Sequence, residues 1–203
     1  MNQSPPVRCP RCYGLGLALA LALNHPDSIG GLALLALLTH PQTLVPPAFR
    51  DFVIGSARLR KLIAWTIATP LAIAASSKIL DEVFRPDAAP ADFDTAAGGL
   101  LALRPGHFFA ASSDLVGVND DLPGMVERYP SIRVPVGILF GRHDAILSYQ
   151  DHGTAMQSKI RGSTVSLVDG GHMLPITAPD ETARWITEFA RRLGGCNHAD
   201  SAA

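Results

Sequence analysis

Apolar residues dominate the first part of this chain in two unbroken runs. The run over 14–23 is apolar on every side, which predicts a buried helix over 13–24. A turn at 25–29 follows it. The next run, 31–38, is bounded by glycine and by Thr39-His-Pro, and periodicity alone does not separate a strand from a buried helix there. Its position after a buried helix favours a central strand covered on both faces, as in parallel α/β sheets.

The middle of the chain has helical spacing of large apolar residues and no strand-like alternation. Helical segments are predicted over 46–60, 61–81, 92–103 and 121–129. Breaks are predicted at Pro70, at 85–90 and at 104–106, where proline and glycine cluster. This stretch therefore predicts a helical insertion rather than a part of the sheet.

A regular alternation of strands and helices resumes after residue 130. Strands are predicted over 132–140 and 163–168, and helices over 148–159 and 178–193. The last helix has acids in its first turn and Arg191-Arg192 in its last, as the helix dipole prefers. Strand, helix, strand and helix in close succession predict a parallel sheet with right-handed crossovers.

An acid and a base follow the last two predicted strands. Asp144 comes after the strand that ends at Phe140, and His172 comes after the strand that ends at Val168. Carboxyl ends of parallel strands meet at one edge of a sheet, so the two side chains are expected to approach each other. A carboxylate that holds an imidazole in one tautomer is part of the chemistry of acyl transfer. Taken singly, an aspartate after a strand is most often a turn or helix cap, and a histidine after Gly-Gly is most often a loop residue.

Composition narrows the class of protein. The 203 residues are 47% hydrophobic and 17% charged, which is typical of a globular domain with a sizeable core. The net charge is −1 with no concentrated basic face, which argues against a nucleic-acid partner. No membrane span is predicted, since the apolar run over 62–75 is shorter than the roughly 20 residues a bilayer needs and contains Pro70.

Three cysteines, Cys9, Cys12 and Cys196, do not form a disulfide framework and suit a cytoplasmic protein. The Cys9-Pro-Arg-Cys12 motif lacks the second ligand pair of a zinc site, so neither a metal nor another cofactor is expected. An alternative concerns the amino terminus. Arg8 and Arg11 before the apolar run also fit a secretory signal, which would place the mature amino terminus at Leu23.

The motifs together resemble those of the α/β-hydrolase superfamily, in particular its members with a helical cap. Gly-Arg-His-Asp at 141–144 matches the acid loop, Asp-Gly-Gly-His at 169–172 matches the histidine loop, and 13–39 matches the helix and strand after the nucleophile elbow. The resemblance implies a parallel sheet remnant of about three strands flanked by helices. It divides the chain into a core (13–45 and 130–193), a helical cap (46–129) and disordered ends (1–12 and 194–203).

The chain departs from the family at the elbow. The superfamily's Gly-x-Ser-x-Gly aligns with Pro-Arg-Cys-Tyr-Gly at 10–14, so the resemblance implies Cys12 as the nucleophile and the backbone amide of Tyr13 as an oxyanion donor. A thiolate is intrinsically strongly nucleophilic. The family's strands upstream of the elbow have no counterpart here, which predicts a truncated chain. The strand over 31–38 would then keep an apolar unpaired edge, which invites self-association.

Two functional hypotheses share this fold. In the first, the resemblance implies a hydrolase of a small or medium apolar ester, with His172 as general base and Asp144 as its orienting partner. In the second, the chain is a non-catalytic fragment or pseudoenzyme. Seven aromatic residues of the insertion are candidates for an apolar substrate pocket, although such residues more often belong to ordinary helix packing: Phe49, Phe52, Trp65, Phe84, Phe93, Phe108 and Phe109.

Overall fold

A three-stranded parallel sheet forms the centre of the computed structural model, which describes residues 16–42 and 45–199. The strands are β1 (Leu32–Leu35), β2 (Val136–Gly141) and β3 (Thr164–Val168), in the spatial order β1-β2-β3. Leu32 pairs with Val136 and Gly137 with Thr164, which fixes the two registers. Every residue of β2 is buried, as expected for the central strand.

Helices cover both faces of the sheet and fill the stretch between β1 and β2. They are α1 (Leu17–Asn24), α2 (Ala57–Thr66), α3 (Ala68–Phe84), α4 (Phe93–Ala96), α5 (Pro105–Arg128), α6 (Ala155–Lys159), α7 (Leu174–Thr177) and α8 (Pro179–Ala199). Short 3₁₀ helices lie at Pro26–Ser28, Pro47–Phe52, Gly99–Leu103 and Tyr129–Ser131, and a π-helical turn spans Gln150–Thr154.

Side-chain alternation along β2 assigns one face of the sheet to each layer of helices. Ile138 and Phe140 belong to the core that also holds Leu19 of α1 and Met156 of α6. On the opposite face, Gly137 lies directly under the aromatic ring of Phe189 in α8. A side chain at position 137 would collide with that ring, so glycine there lets α8 approach the sheet closely.

The predicted α/β class is confirmed, and the strand predictions need corrections. The strand predicted over 132–140 begins only at Val136. The strand predicted over 31–38 is shorter, and it was expected to be covered on both faces, but Ala33 is exposed. Among the described residues β1 pairs with β2 alone, so its other edge has no strand beside it. Self-association through this edge stays a prediction.

The helix predictions also need corrections. The predicted break at 104–106 is in fact the start of α5, because proline at the first helical position needs no backbone N–H partner. Residues 107–120, which no predicted helix included, are helical throughout. The last helix continues to Ala199 instead of ending at Leu193, since the glycines at 194 and 195 cost about 1 kcal/mol each in a helix without forbidding it. The domain boundaries stay a prediction.

The helical insertion, residues 47–128, is held together by a buried arginine. The guanidinium of Arg60 on α2 donates to the carbonyl of Ile54 (2.8 and 3.1 Å) and to Ser113 Oγ of α5 (2.7 Å). Phe84 at the end of α3 is fully buried and meets the Phe93 ring edge-on at 5.0 Å. These contacts tie α2 to α5 and the end of α3 to α4.

No single helix within 16–42 and 45–199 has the length and apolar character that crossing a membrane requires. The pair α2 and α3, bent by 79° at their junction, meets those requirements only when taken together.

Candidate active site

Asp144 occupies the turn that leaves β2, and the turn itself supplies two of its hydrogen-bond partners. Its Oδ1 accepts from the backbone amides of Ile146 (2.8 Å) and Leu147 (2.9 Å). A carboxylate that caps its own turn in this way is common at Asp. The side chain is only 1% exposed, so the carboxylate is fixed in one orientation and its second oxygen remains for another partner.

That partner is His172. Its Nδ1 lies 2.8 Å from Asp144 Oδ2, and the imidazole is 22% exposed. A neutral imidazole beside a carboxylate carries its proton on the nitrogen that faces the carboxylate. With Nδ1–H donating to Asp144, Nε2 is the ring nitrogen with a free lone pair for proton transfer.

Backbone contacts join the acid loop (141–144) to the histidine loop (169–172), and they require glycine at position 141. The amide of Arg142 donates to the carbonyl of Val168 (2.9 Å), and that of His143 donates to the carbonyl of Gly170 (3.0 Å). A Cβ atom at Gly141 would overlap the carbonyl oxygens of Gly170 and Gly171. Glycine at 141 is therefore what lets the acid loop and the histidine loop lie side by side.

The helical insertion contacts the histidine loop directly. Gly171 has no room for a Cβ, because the carbonyl of Arg85 lies against its α-carbon. The Gly171 amide donates to Asp87 Oδ2 at 3.3 Å. The segment after α3 therefore packs against Gly171, the residue before His172. The helical insertion and the histidine loop are in direct contact there.

A cavity of about 660 Å³ lies between the insertion and the core, and His172 is part of its wall. From the core it is also lined by Leu38, Ile146 and Leu147. Most of the remaining lining is aliphatic or aromatic and comes from α3, α5 and the segments around Phe49 and Leu100. A volume of this size, with few polar groups, is typical of a pocket for a small apolar molecule.

The seven aromatic residues divide between the two interpretations. Phe49, Phe52 and Phe93 line the cavity. Phe84 is buried in helix packing, and Trp65 is exposed on the outside of α2. The Phe108 ring lies tilted against that of Phe52, with centroids 5.0 Å apart, and the Phe109 ring contacts Trp65 at 6.0 Å.

Five polar residues in the cavity wall were not among the sequence candidates: Gln42 after β1, Ser76 on α3, Asp94 on α4, and His107 and Asp114 on α5. Residues 107, 111, 114 and 115 all line the cavity, and their spacing is that of one helix face. Once the segment is known to be helical, this spacing is the signal that identifies His107 and Asp114 as cavity residues.

A second pair of histidines lies behind the cavity. The side chain of His152 is buried, its Nδ1 accepts from the amides of Thr39 and His40 (both 3.4 Å), and its Nε2 is 3.3 Å from Gln42 Nε2. Burial lowers the pKa of His152 and also that of His40. The neutral His152 ring therefore accepts backbone hydrogen bonds and ties the end of β1 to the turn at Gln150–Thr154.

Cys12 and Tyr13, the predicted nucleophile and oxyanion donor, lie outside the described residues, so their roles stay predictions. Within 16–42 and 45–199, no three side chains of His, Cys, Asp or Glu group closely enough to hold a metal ion. The other His–Asp pair at the strand ends, His143 Nε2 to Asp169 Oδ1 at 3.1 Å, is 59% and 87% exposed. It is a solvent-facing counterpart of the buried pair.

Comparison with known proteins finds a likeness in structure. No family model matches the chain, and no curated protein does so either. A thermophilic esterase from Thermogutta terrifontis, with malate bound, has a TM-score of 0.60 and 20% identity over 87% of this chain and 61% of its own. The enol-lactonase from Burkholderia xenovorans LB400 has a TM-score of 0.57 and 21% identity over 87% of this chain and 62% of its own.

A putative lipase from Acinetobacter baumannii AYE has a TM-score of 0.65 and 16% identity, and it covers 90% of this chain and 59% of its own. This chain thus spans roughly three fifths of the length of the solved structures it resembles. At these identities the likeness concerns the fold.

Proposed function

We propose, on the premise that the chain has the α/β-hydrolase fold of these neighbours, that it acts as a hydrolase on a small or medium apolar ester. One observation carries the proposal: His172, whose Nδ1 is held by the buried carboxylate of Asp144, forms part of the wall of a 660 Å³ apolar cavity. Ester hydrolysis needs an oriented base beside an apolar pocket, and both are present here.

In the proposed reaction, His172 Nε2 takes the proton of the nucleophile. We assign that nucleophile to the Cys12 thiol, because Cys12 aligns with the serine of the superfamily's elbow. The thiolate adds to the ester carbonyl, the imidazolium returns its proton to the departing alkoxide, and a thioester remains on Cys12. Water, deprotonated by the same nitrogen, then hydrolyses the thioester to the free acid and restores the thiol.

Asp144 acts through His172 rather than on the substrate. Its Oδ2 keeps the imidazole proton on Nδ1 and stabilises the imidazolium that forms when Nε2 accepts a proton. Because the two amides at 146 and 147 already neutralise part of its charge, the carboxylate is held in place before any substrate arrives. We assign the insertion the role of a cap, since it supplies most of the cavity wall.

The test is hydrolysis of p-nitrophenyl butyrate by the chain and three variants. Cys12→Ala and His172→Ala should each lose activity by about 100-fold or more, the contribution expected of a nucleophile or base. His143→Ala is the matched control, because His143 also pairs with an aspartate but lies in solvent, and it should keep full activity. A rate equal to that of the unchanged chain in all three variants would refute the proposal.

The alternative is a non-catalytic fragment of the same fold. The observation that favours it is that the chain spans only 61% of the length of the esterase it resembles. The same assay separates the two hypotheses. A non-catalytic chain would show background hydrolysis in every variant while still binding an apolar ligand in the cavity.

A further inference from the structure

Exposed apolar side chains are concentrated on the helical insertion. Eleven large apolar side chains are exposed among the described residues, and eight of them lie within 59–73 and 100–101. Two of the eight, Ile73 and Leu100, also line the cavity. The other six form what we call the apolar insertion surface: Leu59, Leu62, Trp65, Ile67, Leu71 and Leu101. Exposed apolar residues scattered singly are ordinary, whereas a patch of them marks an interaction site.

The members of this surface are neighbours in the structure. Leu59, Leu62 and Trp65 recur every three residues along α2, which places them on one side of that helix. The surface continues onto α3, which begins two residues after α2 ends. The hydroxyl of Thr69 on α3 donates to the carbonyl of Leu103 at 2.8 Å, so the segment that carries Leu101 lies beside α3.

The charges carried by these segments are all positive. Residues 52–80 and 95–113 contain no aspartate or glutamate, although the chain has 18 acids in total. Four exposed basic residues lie in the same two segments: Arg58, Lys61, Lys78 and Arg104. In a contact between two copies of this surface, these cations would meet the same cations without an acid from either segment to pair with them. The surface therefore fits an apolar partner that carries negative charge.

We propose that the apolar insertion surface docks on an anionic phospholipid bilayer. The leucines enter the boundary between headgroups and acyl chains, Trp65 lies at headgroup level, and the basic side chains contact the lipid phosphates. Ile73 and Leu100 then place the cavity next to the bilayer, so an apolar molecule reaches the cavity from the lipid. The inference goes beyond the proposed function, because docking requires neither Cys12 nor His172.

The first test is co-sedimentation with unilamellar vesicles of phosphatidylcholine alone and of phosphatidylcholine with about 30% phosphatidylserine. The unchanged chain should bind the anionic vesicles about tenfold or more tightly than the neutral ones, because each basic side chain near a charged bilayer adds attraction. Raising the NaCl concentration from about 0.05 to 0.5 M should remove most of that preference.

Apolar substitutions test the surface itself. Leu62→Gln/Leu71→Gln changes two side chains that are 60% and 58% exposed, so the fold should be kept, as circular dichroism checks. Binding to the anionic vesicles should fall by about tenfold or more. Leu17→Gln/Ile186→Gln is the matched control, because it changes two exposed apolar residues outside the insertion and should keep full binding.

Charge substitutions test the choice of lipid. Arg58→Gln/Lys61→Gln should reduce the preference for anionic vesicles by about fivefold. Arg133→Gln/Arg161→Gln is the control of equal charge, because it removes two exposed cations outside the insertion and should leave the preference unchanged. An equal loss in both double variants would mean that net charge alone attracts the chain, and it would overturn the inference.

Trp65 reports which surface touches the lipid. The chain has two tryptophans, so Trp185→Phe leaves Trp65 as the only one. Its emission should shift to the blue on anionic vesicles and be quenched by brominated acyl chains, because the side chain is exposed in water. Absence of vesicle binding, or binding without quenching of Trp65, overturns the inference. A dimer in sedimentation equilibrium that Leu62→Gln/Leu71→Gln dissociates would assign the surface to a second copy and overturn it too.

Discussion

Replacement of Asp144 tests whether the buried pair is organised as the structure indicates. In Asp144→Ala the amides of Ile146 and Leu147 lose their acceptor. Hydrogen bonds to a charged group contribute about 1.5–3 kcal/mol each, so this variant should lose roughly 3 kcal/mol or more of the free energy of unfolding. Asp144→Asn keeps one oxygen for the two amides, loses only the charge, and should lose about 1–2 kcal/mol.

The asparagine variant also makes a prediction about His172. A carboxamide has one oxygen, and the amides of Ile146 and Leu147 require it, so the new NH₂ group must face His172 Nδ1. An NH₂ group is a donor, which forces Nδ1 to become the acceptor and moves the imidazole proton to Nε2. The proton then occupies the nitrogen that the proposed reaction needs free.

Urea denaturation and ¹⁵N NMR of the imidazole measure the two effects. The unchanged chain should show a protonated Nδ1 in neutral His172, and Asp144→Asn a protonated Nε2. Asp169→Asn is the matched control, because its bond to His143 has similar length but lies in solvent, and such exposed pairs contribute about 0–1 kcal/mol. If the exposed and buried substitutions cost the same, or the tautomer of His172 does not change, the reasoning is refuted.

Three further predictions follow from the same structure. Gly141→Ala should reduce the free energy of unfolding by about 3 kcal/mol or more, through overlap with the neighbouring loop, whereas Gly30→Ala, with open space around it, should cost less than about 0.5 kcal/mol by urea denaturation. Burial lowers the pKa of His40 and His152, so the unfolded chain binds more protons below the ordinary value of 6.5. Stability should therefore fall as pH drops from 7 to 5, and an unchanged urea midpoint would contradict this. Burial raises the pKa of Tyr129. The contribution of its buried, neutral phenol to the free energy of unfolding is therefore complete below pH 10 and should decline above it. Tyr129→Phe should reduce that alkaline loss of stability, measured by thermal unfolding.

The sheet and the Asp144–His172 pair could be predicted because their determinants are local in sequence. An apolar run bounded by turn residues specifies β2, and glycine at 141 marks where the chain leaves it. The carboxyl ends of neighbouring parallel strands then bring the two loops together without further information. Asp144 and His172 are 28 positions apart, and the segment between them contains the π-helical turn, α6 and β3, which form a single crossover.

The helix α5 was missed over 107–120 for the opposite reason. Its inner face lines a cavity rather than a packed core, so its pattern contains His107 and Asp114 where a core helix would be apolar. Gly106 and Gly117 weaken the helical signal further. The helix is stabilised by the packing of α2 and α3 against it, including the hydrogen bond from Arg60 to Ser113, and these contacts cannot be read from the local sequence.

That failure has a physical reason. Sequence rules describe residues whose partners lie within the chain, and they fail where the partner is absent from it. Asp144 obeys the rules because its partners are the amides two and three residues along the chain and His172, which follows the neighbouring strand β3. Asp114 violates them because nothing described in the chain pairs with its Oδ1.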